Sequence, residues 1–504
     1  MKTFRLDPHK TQSLPTQLRA LHRRQSVAAV DWLRYARRNP EVLDRSEFGY
    51  ADRPIDDWLH RVMHPWPLFI DSQREAELAD AATAVARLVE SVPTRLFGDD
   101  PQRLAEVLGL EEREAQLSVE YRLRYPEAPL WSRADFYDTS EGLRCLELNT
   151  SSFLGGWQDA TWRPIYLHHP LIRRFLEEHS LRLSPGGQAL DTVFRGAVRR
   201  AVAAGLATSR ELNLFMGLGK EKLEAVVRFH SRDAVGELWE QALRAEAPGV
   251  EGRVTLGLLQ EAEVNSRGLY FEGQRQHILL EFYSLLSSPQ VLSALDSGRL
   301  HVYNGPSNIV LRSKLHLAFL WEHADSGSDA FSAEERAQIL SYLPWSVQVR
   351  RGVKIRYRGE FHQLQRLLLQ RRDDMVLKLG DSYSGKGVYV GRFTPEEEWR
   401  ERVNQALDEP GWMVQERIDG EPLLFQSGSR GASLHEVAWG LFAFGGQYGG
   451  GFLRIRPAEV EGEELEGDEG EAVAKAGRRG VVNVSQGALE SPLFRVEPAP
   501  VAGD

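Results

Sequence analysis

The chain of 504 residues has a net charge of −10, is 42% hydrophobic and 27% charged, and contains one cysteine. That length suffices for more than one core, no apolar run reaches membrane-spanning length, and the acidic balance excludes the basic field of a general nucleic-acid binder. Cys145 alone forms no intramolecular disulfide and fits a reducing cytosol. The N-terminal MKTFRLDPHKTQSLPTQLRA lacks the apolar core of an export signal, so a cytoplasmic protein is expected.

Residues 1–115 read as mainly helical; in 73-QREAELADAATAVARLVESV, Leu78, Ala81, Val85, Leu88 and Val92 recur at helical spacing. From 116 to 165, short β-rich runs alternate with turns. Within 131-WSRADFYDTSEGLRCLELNTSSFLGG the pattern is strand (133-RADFY), turn (138-DTSEG), strand (143-LRCLELN). Side chains alternate along a strand, so Arg133 and Asp135 share one face and Glu147 and Asn149 share another. If the strands pair, Asp135, Glu147 and Asn149 converge, and two carboxylates with an amide make a hard-oxygen site suited to Mg²⁺. The competing reading is an amphipathic hairpin whose polar side faces water. Cys145, mid-strand beside Leu146, reads as a small buried residue.

Residues 165–300 alternate helical patterns with apolar runs such as 211-ELNLFMGL and 253-RVTLGLLQ, as in layered α/β structure. His168 and His169 lack the i, i+4 spacing of a metal helix. The run 216-MGLGKEK reads as a helix-entry turn, and the aromatics of 121-YRLRYPEAPLW as core packing. Residues 301–504 form a further α/β region, interrupted by an acidic insertion at 459–471 (459-EVEGEELEGDEGE), which reads as a solvated segment.

The stretch 376-VLKLGDSYSGKGVYVGRF contains G-x-x-x-x-G-K-G, close to a P-loop. Gly387 stands where that loop needs Ser or Thr for Mg²⁺, and 388-VYVGRF reads as a strand rather than a helix. The segment is therefore strand, glycine-rich turn, strand. Gly385 and Gly387 allow close backbone approach to phosphate, and Lys378 on the first strand can reach the same anion. A surface hairpin with a flexible tip explains the pattern equally well.

Three further features alter that balance. Lys314 heads a helix in 308-NIVLRSKLHLAFLWEHA, 412-WMVQERIDGEP follows the glycine-rich hairpin, and R-x-D then E-x-N-T occurs at 133–150. Together these resemble the ATP-grasp superfamily. In its usual order the metal ligands come last; here they come first, as in the circularly permuted, glutathionylspermidine synthetase-like group. The segments 451-GFLRIRP and 481-VVNVSQGALESPLF are similar to the closing segments of that group. The resemblance covers roughly 116–165 and 301–495.

It implies an α/β (α+β) ATP-grasp fold, circularly permuted, with an N-terminal helical region at 1–115, a metal-hairpin and substrate region at 116–300, and a lid and hinge region at 301–504. It implies ATP held by Lys314, Lys378 and the lid Tyr383, Ser384, Gly385, Lys386 and Gly387. The hinge positions Gln415, Glu416 and Ile418, with Glu421 near the ribose, would hold the nucleoside. Two Mg²⁺ ions would be bridged by Glu147, with Asp135 on one and Asn149 on the other. Arg133 and Arg456 would orient a carboxylate or acylphosphate, with Arg454 as a further candidate. The implied activity is ATP-dependent joining of a small-molecule or peptide carboxylate to an amine, yielding ADP and phosphate. Phosphoryl transfer to a non-carboxylate acceptor and nucleotide binding without turnover are the alternatives.

Overall fold

The computed structural model describes residues 16–39, 48–50, 53–54, 63–124, 131–150, 154, 159–184, 189–207, 210–218, 232–265, 267–281, 293–294, 297–303, 305–382, 385–426, 432–458, 482, 484 and 487–500. Lid residues Tyr383 and Ser384 and the acidic insertion at 459–471 lie outside them.

Three sheets organise the chain. The largest has eight strands. Its main path runs Leu68–Ile70, Leu489–Pro498, Gln447–Pro457, Ala432–Phe444, Trp131–Thr139, Gly142–Asn149, with Leu423–Gln426 and Leu181–Leu183 added beside it. It thus draws strands from all three expected segments. A four-stranded antiparallel sheet runs Ser346–Gln348, Trp412–Glu416, Met375–Leu379, Val388–Val390. The third is parallel, ordered His301–Tyr303, Ile278–Glu281, Leu214–Leu218, Val254–Leu258. Helices Ala189–Ala203 and Arg232–Glu246 share a core with its strands. The apolar runs at 211 and 253 are therefore neighbouring parallel strands, the first buried inside the sheet and the second half-buried at its edge.

The long helix Ser72–Phe97 starts where Asp71 accepts from the Arg74 amide (2.9 Å) and ends at Gly98 in the left-handed region. Its apolar stripe, including Leu78, Ala81, Val85 and Val92, is buried in the core beneath the large sheet. Between 116 and 165 the structure differs from the β-rich expectation. Residues Glu112–Arg124 and Asp159–His168 are helices. In 119-VEYRL, apolar residues alternate with polar ones and imitate a strand. Two features favour the helix: acids in the first turn with bases in the last, and buried Ala115, Ser118 and Val119 on one side.

No helix among the described residues is long and apolar enough to cross a membrane. His169 caps helix Pro170–Glu178, its Nδ1 accepting from the Leu171 amide at 3.2 Å. Met216–Leu218 belong to a strand; the rest of 216-MGLGKEK lies outside the described residues.

Candidate functional site

The early hairpin pairs in antiparallel register, with Asp135 opposite Glu147 and Arg133 opposite Asn149. Its turn is tighter than 138-DTSEG suggests: the strands extend to Thr139 and from Gly142. The register shifts after Asp135, because Phe136 faces Cys145 and leaves Leu146 outside the ladder. A bulge of this kind re-aims the groups beside it. Here the Leu146 carbonyl accepts a hydrogen bond from Lys378 Nζ at 2.8 Å.

Asp135 is buried, and both of its oxygens are engaged. Arg133 donates Nε to Oδ1 (2.8 Å) and Nη2 to Oδ2 (3.0 Å), while Arg454 Nη2 ion-pairs with Oδ1. Burial alone would raise its pKa. The two guanidiniums outweigh burial and hold the carboxyl well below the usual carboxylate range. Both arginines also lie near the Phe452 ring, at 5.6 and 5.8 Å from its centroid. Gly440, opposite Asp135, makes the crossing possible: a Cβ there would meet the Phe452 ring at 2.7 Å and Arg133 Cδ at 3.2 Å.

Asn149 Nδ2 donates to Asp135 Oδ2 (3.0 Å) and Glu147 Oε1 (3.3 Å), which draws the three expected metal-site residues together. Glu147 Oε2 faces Lys314 Nζ at 3.9 Å. Two carboxylates and an amide are the hard-oxygen chemistry a divalent cation takes; in this arrangement Glu147 is the open carboxylate, while both oxygens of Asp135 are held by Arg133, Arg454 and Asn149. Among the described residues no group of three or more His, Cys, Asp and Glu offers a metal site.

Lys378 and Lys314 approach this hairpin from the second sheet and its flanking helix. Lys314 precedes helix Leu315–Asp325, and its ammonium donates to the Ser382 carbonyl and to Ser382 Oγ (3.3 Å). Lys378 also donates to Gln415 Oε1 (2.7 Å), and Gln415 Nε2 donates to Ser346 Oγ (3.2 Å). Burial lowers the Lys378 pKa to about 8, opposed by the Glu147 charge and assisted by Lys314. On the same strand faces, Val376, Val388 and Val390 form a small apolar cluster of their own. The sheet thus presents an ammonium beside an apolar wall. Gly385 and Gly387 both have positive φ, 70° and 68°, the conformation expected of a glycine-rich turn; Lys386 between them is exposed.

Other expected residues take different surroundings. Glu416 follows Gln415 on the strand and so points to the opposite face. Its Oε1 accepts from Tyr357 (2.8 Å) and Arg358 (2.7 Å). Ile418 is half-buried in the segment leaving that strand. Glu421 pairs with Arg24 at 2.6 Å, and Arg24 also holds Asp138. Arg456 pairs with its cross-strand neighbour Glu436 at 2.5 Å, so Arg454 rather than Arg456 is the strand's contact with Asp135. Cys145 is fully buried, and burial pushes its thiol pKa upward. Ser346, Ser382 and Gly440 were not singled out by sequence. A small residue inside a strand, as at Gly440, was the available signal of close approach.

No family model and no curated protein matches this sequence. Among solved structures, a glutathione synthetase-like effector (GSS30) from Globodera pallida, determined without ligand, aligns over 92% of this chain and 97% of its own. The TM-score is 0.54 and the identity 11%. D-alanyl-alanine synthetase A from Vibrio cholerae aligns over 46% of this chain and 67% of its own, at a TM-score of 0.24 and 10% identity. The first likeness is one of fold: the chain is a mixed α/β protein with an architecture similar to that of the effector. The second is too partial to bear on it.

Proposed function

We propose that this protein is an ATP-dependent carboxylate–amine ligase of the circularly permuted ATP-grasp type, acting through an acylphosphate. The observation that carries the reading is the meeting of Lys314 and Lys378 with the carboxylate hairpin: Lys378 bonds the Leu146 carbonyl and Lys314 faces Glu147. Two cations beside two carboxylates, next to an apolar wall, suit a metal-bound triphosphate joined to a flat base. The fold shared with a glutathione synthetase-like protein supports the same reading.

In this proposal Lys314, Lys378 and the lid from Tyr383 to Gly387 neutralise and position the phosphates. Gln415, Glu416, Ile418 and Glu421 belong to the hinge side that holds the nucleoside. Glu147, Asp135 and Asn149 hold Mg²⁺, which when bound supplies charge stabilisation to the transferring phosphoryl group. Arg133 and Arg454, already aligned on a buried carboxylate, recognise the anionic acid substrate or its acylphosphate, with Arg456 behind them. Closure over this site would exclude water from an intermediate that hydrolyses readily.

The test is incubation with Mg-ATP, pooled amino acids, amines and hydroxylamine. A ligase releases ADP and phosphate and forms a hydroxamate; a kinase releases ADP and labels an acceptor; a binding protein does neither. Glu147→Gln is expected to lower turnover by at least about 100-fold. The fold should remain, because among the described residues the Glu147 side chain makes a 3.3 Å hydrogen bond and a 3.9 Å ion pair and no closer contact. Wild-type turnover in that variant removes the metal assignment.

A further inference from the structure

The hairpin Lys354–Tyr357/Glu360–Gln363 stands outside the three main sheets and meets the site described above through Glu416. Its turn carries Arg358 and Gly359 at positive φ, 49° and 86°, so a non-glycine residue occupies the left-handed region at the tip. From there the Arg358 guanidinium reaches Glu416 Oε1 through Nη2 (2.7 Å) and Nε (3.2 Å). The Tyr357 hydroxyl donates to the same oxygen at 2.8 Å. Oε2 of Glu416 accepts from no described residue.

The hairpin is also fastened to this strand end through Trp345. The indole donates to the Arg356 carbonyl (2.8 Å), the ring packs edge-on against Tyr357 at 5.0 Å, and the Trp345 carbonyl accepts the Glu416 amide at 2.8 Å. One residue further, the Arg417 amide donates to the Asp374 carbonyl at 2.7 Å. Glu416 is therefore held by backbone and side chain at the point where the chain leaves the sheet. Gln415, one residue earlier, touches Lys378 on the opposite face.

We propose that Arg358 and Tyr357 are positioning residues for nucleoside binding: by gripping Glu416 they fix the hinge segment on which the base and sugar rest. This inference rests on the ATP-binding reading above. It assigns the separate hairpin a task in affinity for the nucleoside half of ATP, through the hinge backbone it steadies from behind, and none in affinity for the phosphates, which the lysines serve. Arg358 is half-exposed, so its effect should be a few-fold rather than a complete loss.

The experiment compares the dissociation constants of Mg-ATP and of magnesium tripolyphosphate, by calorimetry on the full chain. The proteins are wild type, Arg358→Ala, Arg358→Lys, Glu416→Gln and the Arg358→Ala/Glu416→Gln double variant. Arg358→Ala should weaken ATP about fivefold and leave tripolyphosphate within about twofold of wild type. Arg358→Lys should restore most of the ATP affinity. In the Glu416→Gln background, Arg358→Ala should add nothing further, because it acts through that carboxylate. Unchanged ATP affinity in Arg358→Ala, equal weakening of both ligands, or additive effects in the double variant overturn the inference. Wild-type protein that binds tripolyphosphate but not ATP, or neither, instead overturns the ATP reading on which it rests.

Discussion

Lys378 carries the sharpest pH signature in the candidate site. Burial pushes its pKa from 10.5 to about 8, although Glu147 opposes the shift. The fold therefore disfavours the ammonium. Between about pH 8 and 10.5 the unfolded chain binds more protons at this position than the folded chain does, so the group's unfavourable contribution is fully present below 8 and is relieved as pH rises above it. Under the proposed function ligand binding has the opposite sense, because the phosphates would need the ammonium. ATP affinity should fall as pH rises through about 8, and the midpoint should move upward at saturating ATP, since bound phosphate favours the charged lysine. Lys378→Met should bind ATP more weakly and should lose that inflection. Calorimetric titrations at half-unit intervals from pH 7 to 9.5 measure both, and an inflection that survives in Lys378→Met rules out Lys378 as its source. The sequence marks this lysine as a candidate phosphate contact through its place before a glycine-rich turn. Its burial was not legible, because that depends on Gln415 and on the Leu146 carbonyl arriving from other parts of the chain.

At the scale of elements, the two hairpins are readable from alternation and turn residues; the first pairs within two residues of the expected limits, whereas the last strand of the second stops at Val390, and Gly391–Phe393 of the expected run 388-VYVGRF turn instead as a short 3-10 helix. The irregularity inside the first one is not readable. Nothing in 143-LRCLELN marks Leu146 as the residue left out of register, since a bulge is settled by the partner strand and by what its freed carbonyl can bond. The helix Glu112–Arg124 was misread for a related reason: its apolar residues fit both periods over a short window, and packing decides between them. Gly440 shows how strongly a strand can depend on a missing side chain. It lies at ordinary strand geometry opposite Asp135, and a Cβ would press on the Phe452 ring and on the stem of Arg133. Gly440→Val should cost about 1–3 kcal/mol, the usual range for overpacking. It should also displace Arg133 from Asp135. Turnover should then fall by more than the affinity for ATP, because in the proposed function the arginine serves the acid substrate while the lysines are untouched. Urea denaturation gives the first quantity; kcat and the ATP dissociation constant give the second. Equal losses in both indicate that the sheet as a whole has shifted.

Across the molecule, the large sheet joins segments that lie far apart in the chain, and composition gave no sign of this. Strand Leu489–Pro498 lies between Leu68–Ile70, which it meets in parallel, and Gln447–Pro457, which it meets antiparallel. Its hold extends beyond the ladder. The Glu490 carbonyl accepts the His64 amide (2.6 Å), Ser491 Oγ donates to the Trp66 carbonyl (2.7 Å), and Arg495 pairs with Glu75 of the long helix at 2.7 Å. At the other side of the sheet Asp138 receives Arg24 (2.7 Å) and Arg74 (2.6 Å), which ties two N-terminal helices to the strand carrying Asp135. The described helices Thr16–Gln25 and Ser72–Phe97 thus pack as part of the same body as the carboxylate hairpin. Deleting residues 489–504 removes an interior strand, leaves its three partner strands, Leu68–Ile70, Gln447–Pro457 and Leu181–Leu183, without their ladders to it and strips a partner from the long helix. Unpaired interior edges of this kind promote association. The truncated chain should lose near-UV circular dichroism and aggregate at concentrations where the full chain is monodisperse, whereas deleting only 501–504, which follows that strand, should shift the urea midpoint little. A truncated protein that keeps its near-UV spectrum and still binds ATP would mean that the lysine sheet and the carboxylate hairpin stay together without the C-terminal strand, and that the early and late halves of the site are joined through helices Ser72–Phe97 and Leu315–Asp325, which share a core, rather than through the large sheet.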